Sequence, residues 1–206
     1  MILESLIVGF IETNCYIIGC ERTLKGVIID PGGDGEKIVE LVKKRNLKIE
    51  YIINTHAHID HIQANEYLKD VFNVPICIHR EGEEIFKDPV SNLSSLLLSR
   101  ALVFPSPERL LDDGEEIKTG YLTLSIFHTP GHTPDSISVV VEKAVFTGDA
   151  LFAGGIGRTD LPSGDYNLLI QSIRNKILSL PDEYAVYPGH GPSSTVGIER
   201  GENPYV

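Results

Sequence analysis

Cysteine is scarce. Cys15, Cys20 and Cys77 are the only three in 206 residues, an odd number with no Cys-x-x-Cys. That argues against a disulfide framework and for reduced, partly buried thiols in a cytosolic protein. Positive charge is also in short supply: 18 Lys and Arg face 29 Asp and Glu, a formal net charge of −11. Phosphate binding needs a basic face, so nucleic acid is excluded as the main partner. No uncharged apolar run reaches the ~18 residues of a spanning helix. The apolar start MILESLIVGFIETNCYIIG carries Glu4 and Glu12 and no basic leader, so it reads as strands rather than a signal peptide. A cytoplasmic protein with no membrane partner is expected. Linkers, charge blocks and repeats are absent as well, so one domain spanning 1–206 is expected.

What is present is ordinary globular composition, 42% hydrophobic and 23% charged. Such a length can bury roughly 70% of its unfolded surface. Strands are expected at Ile2–Val8, Cys15–Gly19, Gly26–Asp30, Ile49–Asn54, Ile76–His79, Ile137–Val141, Ala144–Thr147 and Tyr184–Tyr187. Leu122, Leu124 and Ile126 alternate as one face of a further strand. Helices are expected over Asp34–Arg45, about Ile62–Phe72, Glu81–Lys87 and Asn167–Leu178. The stretch SNLSSLLLSRALVF reads as either a helix or an apolar loop. Strands and helices mix throughout, which suggests α/β layering, with two sheets packed together and helices outside.

The unusual stretch is NTHAHIDHI, Asn54–Ile62, with three histidines and a carboxylate in six positions. Four more segments place a polar residue beside Gly or Pro after an expected strand: IIDPGG (Asp30), TPGHTPDS (His132), FTGDALF (Asp149) and YPGHGP (His190). Residues in that position converge on one edge of a sheet. His56 and His58 share a side only if the chain is extended, whereas Asp60 and His61 are neighbours and point differently. One metal cannot take all four. Catalytic zinc uses about three protein ligands and keeps a place for water. His56, His58 and His132 make one set, Asp60, His61 and His190 a second, and Asp149 is left to bridge. That requires two cations about 3.5–4 Å apart sharing a water. Two cations would also offset part of the carboxylate excess. His79 reads as structural or exposed, and His128 as a buried, hydrogen-bonded residue rather than a ligand.

The motifs HAHIDH, GHT, GDALF and PGHG, in that order, resemble the metallo-β-lactamase superfamily over nearly the whole chain. DPGG, GDALFAGGIGRTD and HGPSST…NP are similar to its glyoxalase II-like (hydroxyacylglutathione hydrolase-like) thioesterases. The resemblance implies an αββα sandwich of two mixed sheets and two divalent metal ions, zinc first, with iron or manganese as alternatives. It makes Asp30 the family's first-motif aspartate, supporting the histidine loop from behind. Arg158 falls about where the family has a substrate-contacting lysine; it could meet a carboxylate or form a surface salt bridge. Asp149 stands where the best-known zinc β-lactamases carry cysteine, and His58 where diiron oxygen-reducing relatives carry glutamate. Both count against those branches. Full-length glyoxalase II has a helical C-terminal region contacting glutathione, and a chain ending at Asn203-Pro204-Tyr205-Val206 is expected to do without it.

The expected activity is hydrolysis of a small thioester such as S-2-hydroxyacylglutathione (lactoylglutathione). A hydroxide shared by both metals would attack the carbonyl, with Asp60 and Asp149 as the catalytic carboxylates. A thiol of pKa about 8.5 leaves without a dedicated acid. No Gly-x-Ser-x-Gly elbow is present, and the glycines of GGIGRTD fail the dinucleotide pattern. The rivals are a mononuclear iron persulfide dioxygenase using His56, His132 and Asp149, a hydrolase of another ester or lactone, and a metal-storage module. Leu96–Leu98 and Phe104 read first as core and second as pocket wall. A monomer is compatible with the sequence.

Overall fold

In this computed structural model, which describes residues 1–206, alternating apolar segments become strands on two stacked sheets. The first sheet has the order β1–β6: Ile2–Val8, Thr13–Gly19, Lys25–Ile29, Lys48–Ile53, Ile76–His79 and Arg109–Leu111. Its first three strands are antiparallel and the rest parallel, with helix α1 (Gly35–Lys44) crossing from β3 to β4. The second sheet comprises β7 (Glu116–Thr119), β8 (Leu122–His128), β9 (Ile137–Val141), β10 (Ala144–Gly148), β13 (Ala185–Pro188) and β14 (Ser194–Thr195). A two-residue hairpin, β11 (Leu151–Phe152) with β12 (Gly155–Ile156), stands beside β10.

Side chains alternate across a strand, so each inner strand feeds two cores. In β3, Val27 and Ile29 face the second sheet, where they meet Leu124, Ile126, Val139 and Phe146. Ile28 faces the other way, among Ile38, Val42 and Leu68 of the outer helices. On the far side Val145 and Val186 pack against Leu169 and Ile173. Four layers result, the expected sandwich. Three cysteines are free and buried, as expected. No helix is long and apolar enough to cross a membrane.

The expected elements are found with three differences. The helix expected at 62–72 is two pieces, α2 (Ile59–Ile62) and α3 (Asn65–Phe72), because the Ala64 N–H donates to Pro31 O at 2.9 Å and turns the chain. SNLSSLLLSRALVF is a loop carrying only one helical turn, α5 (Ser94–Leu97), after α4 (Glu83–Lys87). The last expected helix starts as α6 (Tyr166–Ser172) and widens into a π-helical turn at Ile173–Ile177. Strands β6, β7 and β14 and helix α7 (Val196–Glu202) were not expected from the sequence.

The rim above β3, β4, β8, β10 and β13 is where these strands end, pointing the same way within each sheet. Hydrogen bonds between the sheets fasten that rim. Asn14 N–H donates to Gly189 O at 2.7 Å, Tyr16 O–H to Pro188 O at 2.7 Å, and Ile137 N–H to Thr55 O at 2.8 Å.

Candidate metal centre

Asp30 ends β3 in the left-handed region, φ 51°. Its Oδ1 accepts from the Thr55 N–H at 2.7 Å and its Oδ2 from the Thr55 hydroxyl at 2.6 Å. Residues at the head of the histidine loop are therefore tied to a strand 25 positions earlier. Asn54 adds a second tie, donating to His61 O at 3.0 Å and accepting from Asn65 Nδ2 at 2.7 Å. Within this frame His58 is extended (φ −68°, ψ 145°) and caps α2, whose single turn carries Asp60 and His61. The change from extended chain to helix splits the loop's ligands into two directions.

All seven expected residues meet. His58 Nδ1 lies 3.1 Å from His56 Nε2 and 3.0 Å from His132 Nε2. His190 Nε2 lies 3.2 Å from Asp60 Oδ2, and His61 Nε2 is 3.5 Å from that oxygen. Asp149 stands between the two groups. Its Oδ1 is 3.4 Å from His61 Nε2, and its Oδ2 is 3.8 Å from His132 and 3.7 Å from His190. Three sets could each hold a cation: His56/His58/His132, Asp60/His61/His190, and His56/His61/Asp149.

Proton bookkeeping tests the fit. The Thr55 hydroxyl gives its hydrogen to Asp30, so at 3.1 Å it can only accept from His56 Nδ1. His56 Nε2 is then a bare lone pair. His132 Nδ1 donates to Arg158 O at 2.7 Å, which leaves its Nε2 bare too. One N–H on His58 Nδ1 could satisfy one of these two lone pairs and not both. A cation satisfies all three nitrogens, and the two spacings from His58 Nδ1, 3.1 and 3.0 Å, are near the roughly 3.3 Å edge of a tetrahedron with ~2.0 Å bonds. Burial also leaves His61 Nε2 and Asp149 Oδ1 without hydrogen-bond partners. His61 Nδ1 lies 3.0 Å from Asp30 Oδ2, close enough for an ion pair but off the line of a hydrogen bond. The donor set fits two divalent ions.

Electrostatics divide along the same line. Burial, then repulsion from His61, holds His56 well below an ordinary imidazole, and burial with His132 takes His58 down to about 3. Both are neutral, the ligating form. Burial would lower His61 as well, but Asp149, Asp60 and Asp30 override it and raise it. Asp149 and Asp60, despite burial, are held low chiefly by His61. Three carboxylates around one histidine call for positive charge.

The centre floors a pocket of about 290 Å³, lined by Ile11, Leu93, Leu96, Leu97, Phe152 and Leu161 besides the ligands and Arg158. A larger depression of about 650 Å³ near Phe10 and Tyr67 touches none of the seven residues, so its size says nothing of the chemistry. Arg158 borders the pocket, but its exposed guanidinium makes two hydrogen bonds to Asp160, at 2.9 and 2.8 Å. Its backbone, through His132, reaches the centre instead. Leu97, Leu98 and Phe104 pack against the core, as read first; Leu97 also lines the pocket, and the exposed Leu96 lines it contrary to the core-first reading. His79 and His128 stack on each other at 3.8 Å, outside the candidate sets; His79 is buried, and His128 Nε2 donates to Pro134 O at 2.7 Å. Thr55 escaped the sequence reading. Its place before His56 was the one available signal.

The family profile described as "Metallo-beta-lactamase superfamily" matches residues 8–190. The chain is 36% identical over 209 residues to "Hydroxyacylglutathione hydrolase GloC" of Haemophilus influenzae, covering 100% of this chain and 98% of that protein. Among solved structures it resembles "BLEG-1 B3 metallo-beta-lactamase" with TM-score 0.94 and 40% identity, covering 99% of each chain. It also resembles "TTHA1623 in a di-iron-bound form" with TM-score 0.87 and 32% identity, covering 98% of this chain and 100% of that one.

Proposed function

This chain belongs to the metallo-β-lactamase superfamily, and from that premise we propose that it is a hydrolase of small acyl thioesters working with two divalent ions, zinc first. The observation that carries this reading is Asp149, set between two groups of buried nitrogen and oxygen donors beneath a small, half-apolar pocket. His56, His58 and His132 would hold one ion, Asp60, His61 and His190 the other, and Asp149 both. Ions so held supply Lewis acidity and a water acidified to near neutral pH.

The chain's own groups do the rest. Asp60 lines the pocket with Oδ2 at 3.2 Å from His190 Nε2, so as a ligand through that oxygen it would keep the other to hold a water's proton. Hydrolysis consumes one water: its oxygen forms the new C–O bond as the C–S bond breaks. One of its protons goes to the thiol and the other is released with the carboxylate. A thiolate leaves unaided at a pKa of about 8.5. Apart from the ligands, Arg158 is the one polar side chain in the lining, so an amine leaving group would find no evident proton donor. That favours a thioester over an amide. The name of the Haemophilus relative points to hydroxyacylglutathione as the first compound to try, and the name of BLEG-1 makes β-lactam opening the second reading.

The test is elemental analysis of fresh protein beside assays with lactoylglutathione, coenzyme A thioesters, a lactone and a chromogenic cephalosporin. Two ions per chain with thioester turnover is expected. In Asp149→Ala and His58→Ala, turnover should fall at least ~100-fold and metal content should drop. One iron per chain with oxygen uptake on a persulfide, or turnover of the cephalosporin alone, would replace the proposal.

A further inference from the structure

One turn of chain beside the centre has no role in holding ions. Leu93 sits in the left-handed region (φ 64°, ψ 6°) with its side chain buried, a strained conformation for a branched residue. Strain persists where neighbours over-determine it, and Asn92 does so here. Its fully buried amide donates to Leu102 O at 2.9 Å and Phe86 O at 3.3 Å, and its Oδ1 accepts from the Ser94 N–H at 2.9 Å. Its backbone O accepts from the Ile59 N–H at 2.8 Å, the first residue of the turn carrying Asp60 and His61. The strained leucine turn is thus fastened to the metal-binding turn. It presents Leu93, Leu96 and Leu97 over the pocket, with Leu96 still 66% exposed at the mouth.

Nothing in the pocket complements a substrate carboxylate except ligated ions, since the one lining cation, Arg158, is already engaged by Asp160. A volume of about 290 Å³ is at the lower edge for ligand sites and holds roughly nine water-sized groups. The carbonyl, the sulfur and the attacking water occupy three, leaving room for an apolar chain of about four to six carbons. The mouth is open to solvent at Leu96, so the bulk of a tripeptide or nucleotide thiol has no need to enter. Resting on the thioester reading above, we propose that the Leu93–Leu97 turn recognises the acyl half of the substrate. The site therefore takes thioesters of short apolar acids, and the thiol half stays outside.

The experiment uses thioesters of N-acetylcysteamine from acetyl to octanoyl. It is paired with calorimetric binding of the corresponding inert thioethers to the metal-loaded chain. Burial of each methylene predicts about a fourfold gain in both kcat/KM and affinity up to five or six acyl carbons, then a fall. Leu97→Ala should flatten the gradient to less than about twofold per methylene, and Leu97→Met should keep it. Moving one acyl group from N-acetylcysteamine to glutathione should change kcat/KM less than about threefold, because the thiol makes few contacts. A flat thioether series, or Leu97→Ala lowering every compound by one common factor, overturns the proposal whatever the turnover. A preserved thioether gradient without any thioester turnover sinks the hydrolase reading and leaves the pocket preference standing.

Discussion

Thr55 shows how a single hydroxyl can set a metal site. It gives its proton to Asp30 and so must take one from His56 Nδ1, turning His56 Nε2 toward the other ring nitrogens. Thr55→Val keeps the shape and removes the relay. Affinity at the His56/His58/His132 position should fall 10–100-fold in chelator competition, with the second ion less affected. Asp135 is the opposite kind of residue, a carboxylate with both oxygens buried and unpartnered. Burial pushes it up to about 7, against about 3.9 in an unfolded chain. Below pH ~4 both states are protonated and nothing is lost; as pH rises toward 7 the unfolded state ionises first and stability declines. Asp135→Asn removes that decline. Urea unfolding should show a gain of roughly 2–4 kcal/mol at pH 8 that disappears by pH 4. The sequence marked neither residue, because each depends on chain from elsewhere: Asp30 bonds Thr55, and Gly82 packs close over Asp135.

Among elements, the turn after β3 and the short helix α2 come into backbone contact. A Cβ on Gly32 would lie 1.6 Å from Asp60 O, so the two backbones touch where one carries Asp30 and the other Asp60 and His61. Gly32→Ala must drive them apart. We expect a loss of at least ~3 kcal/mol in urea unfolding together with loss of the second ion by elemental analysis. On the other side, α7 steadies the β11–β12 hairpin. Glu199, buried without a cation, accepts from Gly154 N–H at 2.9 Å and Asn203 Nδ2 at 2.8 Å, and also from the Ser194 hydroxyl. That hairpin carries Phe152 into the pocket and leads to Arg158. Strands of five to seven residues were legible because alternation shows over that length. The three-residue β6 and the pair Ser194–Thr195 are too short for any period, and their pairing comes from neighbours already in place.

For the whole molecule, the sandwich brings together donors that repel or lack partners unless positive charge joins them. His61 alone faces three carboxylates within 3.5 Å. Ion binding to the folded state and not the unfolded one should therefore stabilise the fold by mass action. At free metal 100-fold above Kd each ion contributes about 2.7 kcal/mol, a rise of roughly 5–10 °C in Tm per ion for a chain of this size. Calorimetry with and without chelator checks this, and restoring zinc should restore the lost transition. An unchanged Tm would mean that the seven donors do not bind ions in solution.

Two things were decided by the chain alone: which residues could be ligands, and how they divide. His56 and His58 share a side because they are two apart in extended chain, and Asp60 and His61 diverge because one helical turn follows. Those are local periodicities, carried by any stretch of backbone. Tertiary structure decided which ring nitrogens are bare, that Arg158 serves by its carbonyl beside His132, and that a leucine turn walls the pocket. Each depends on groups tens of residues apart meeting where two sheets pack, and no spacing along the chain encodes such a meeting.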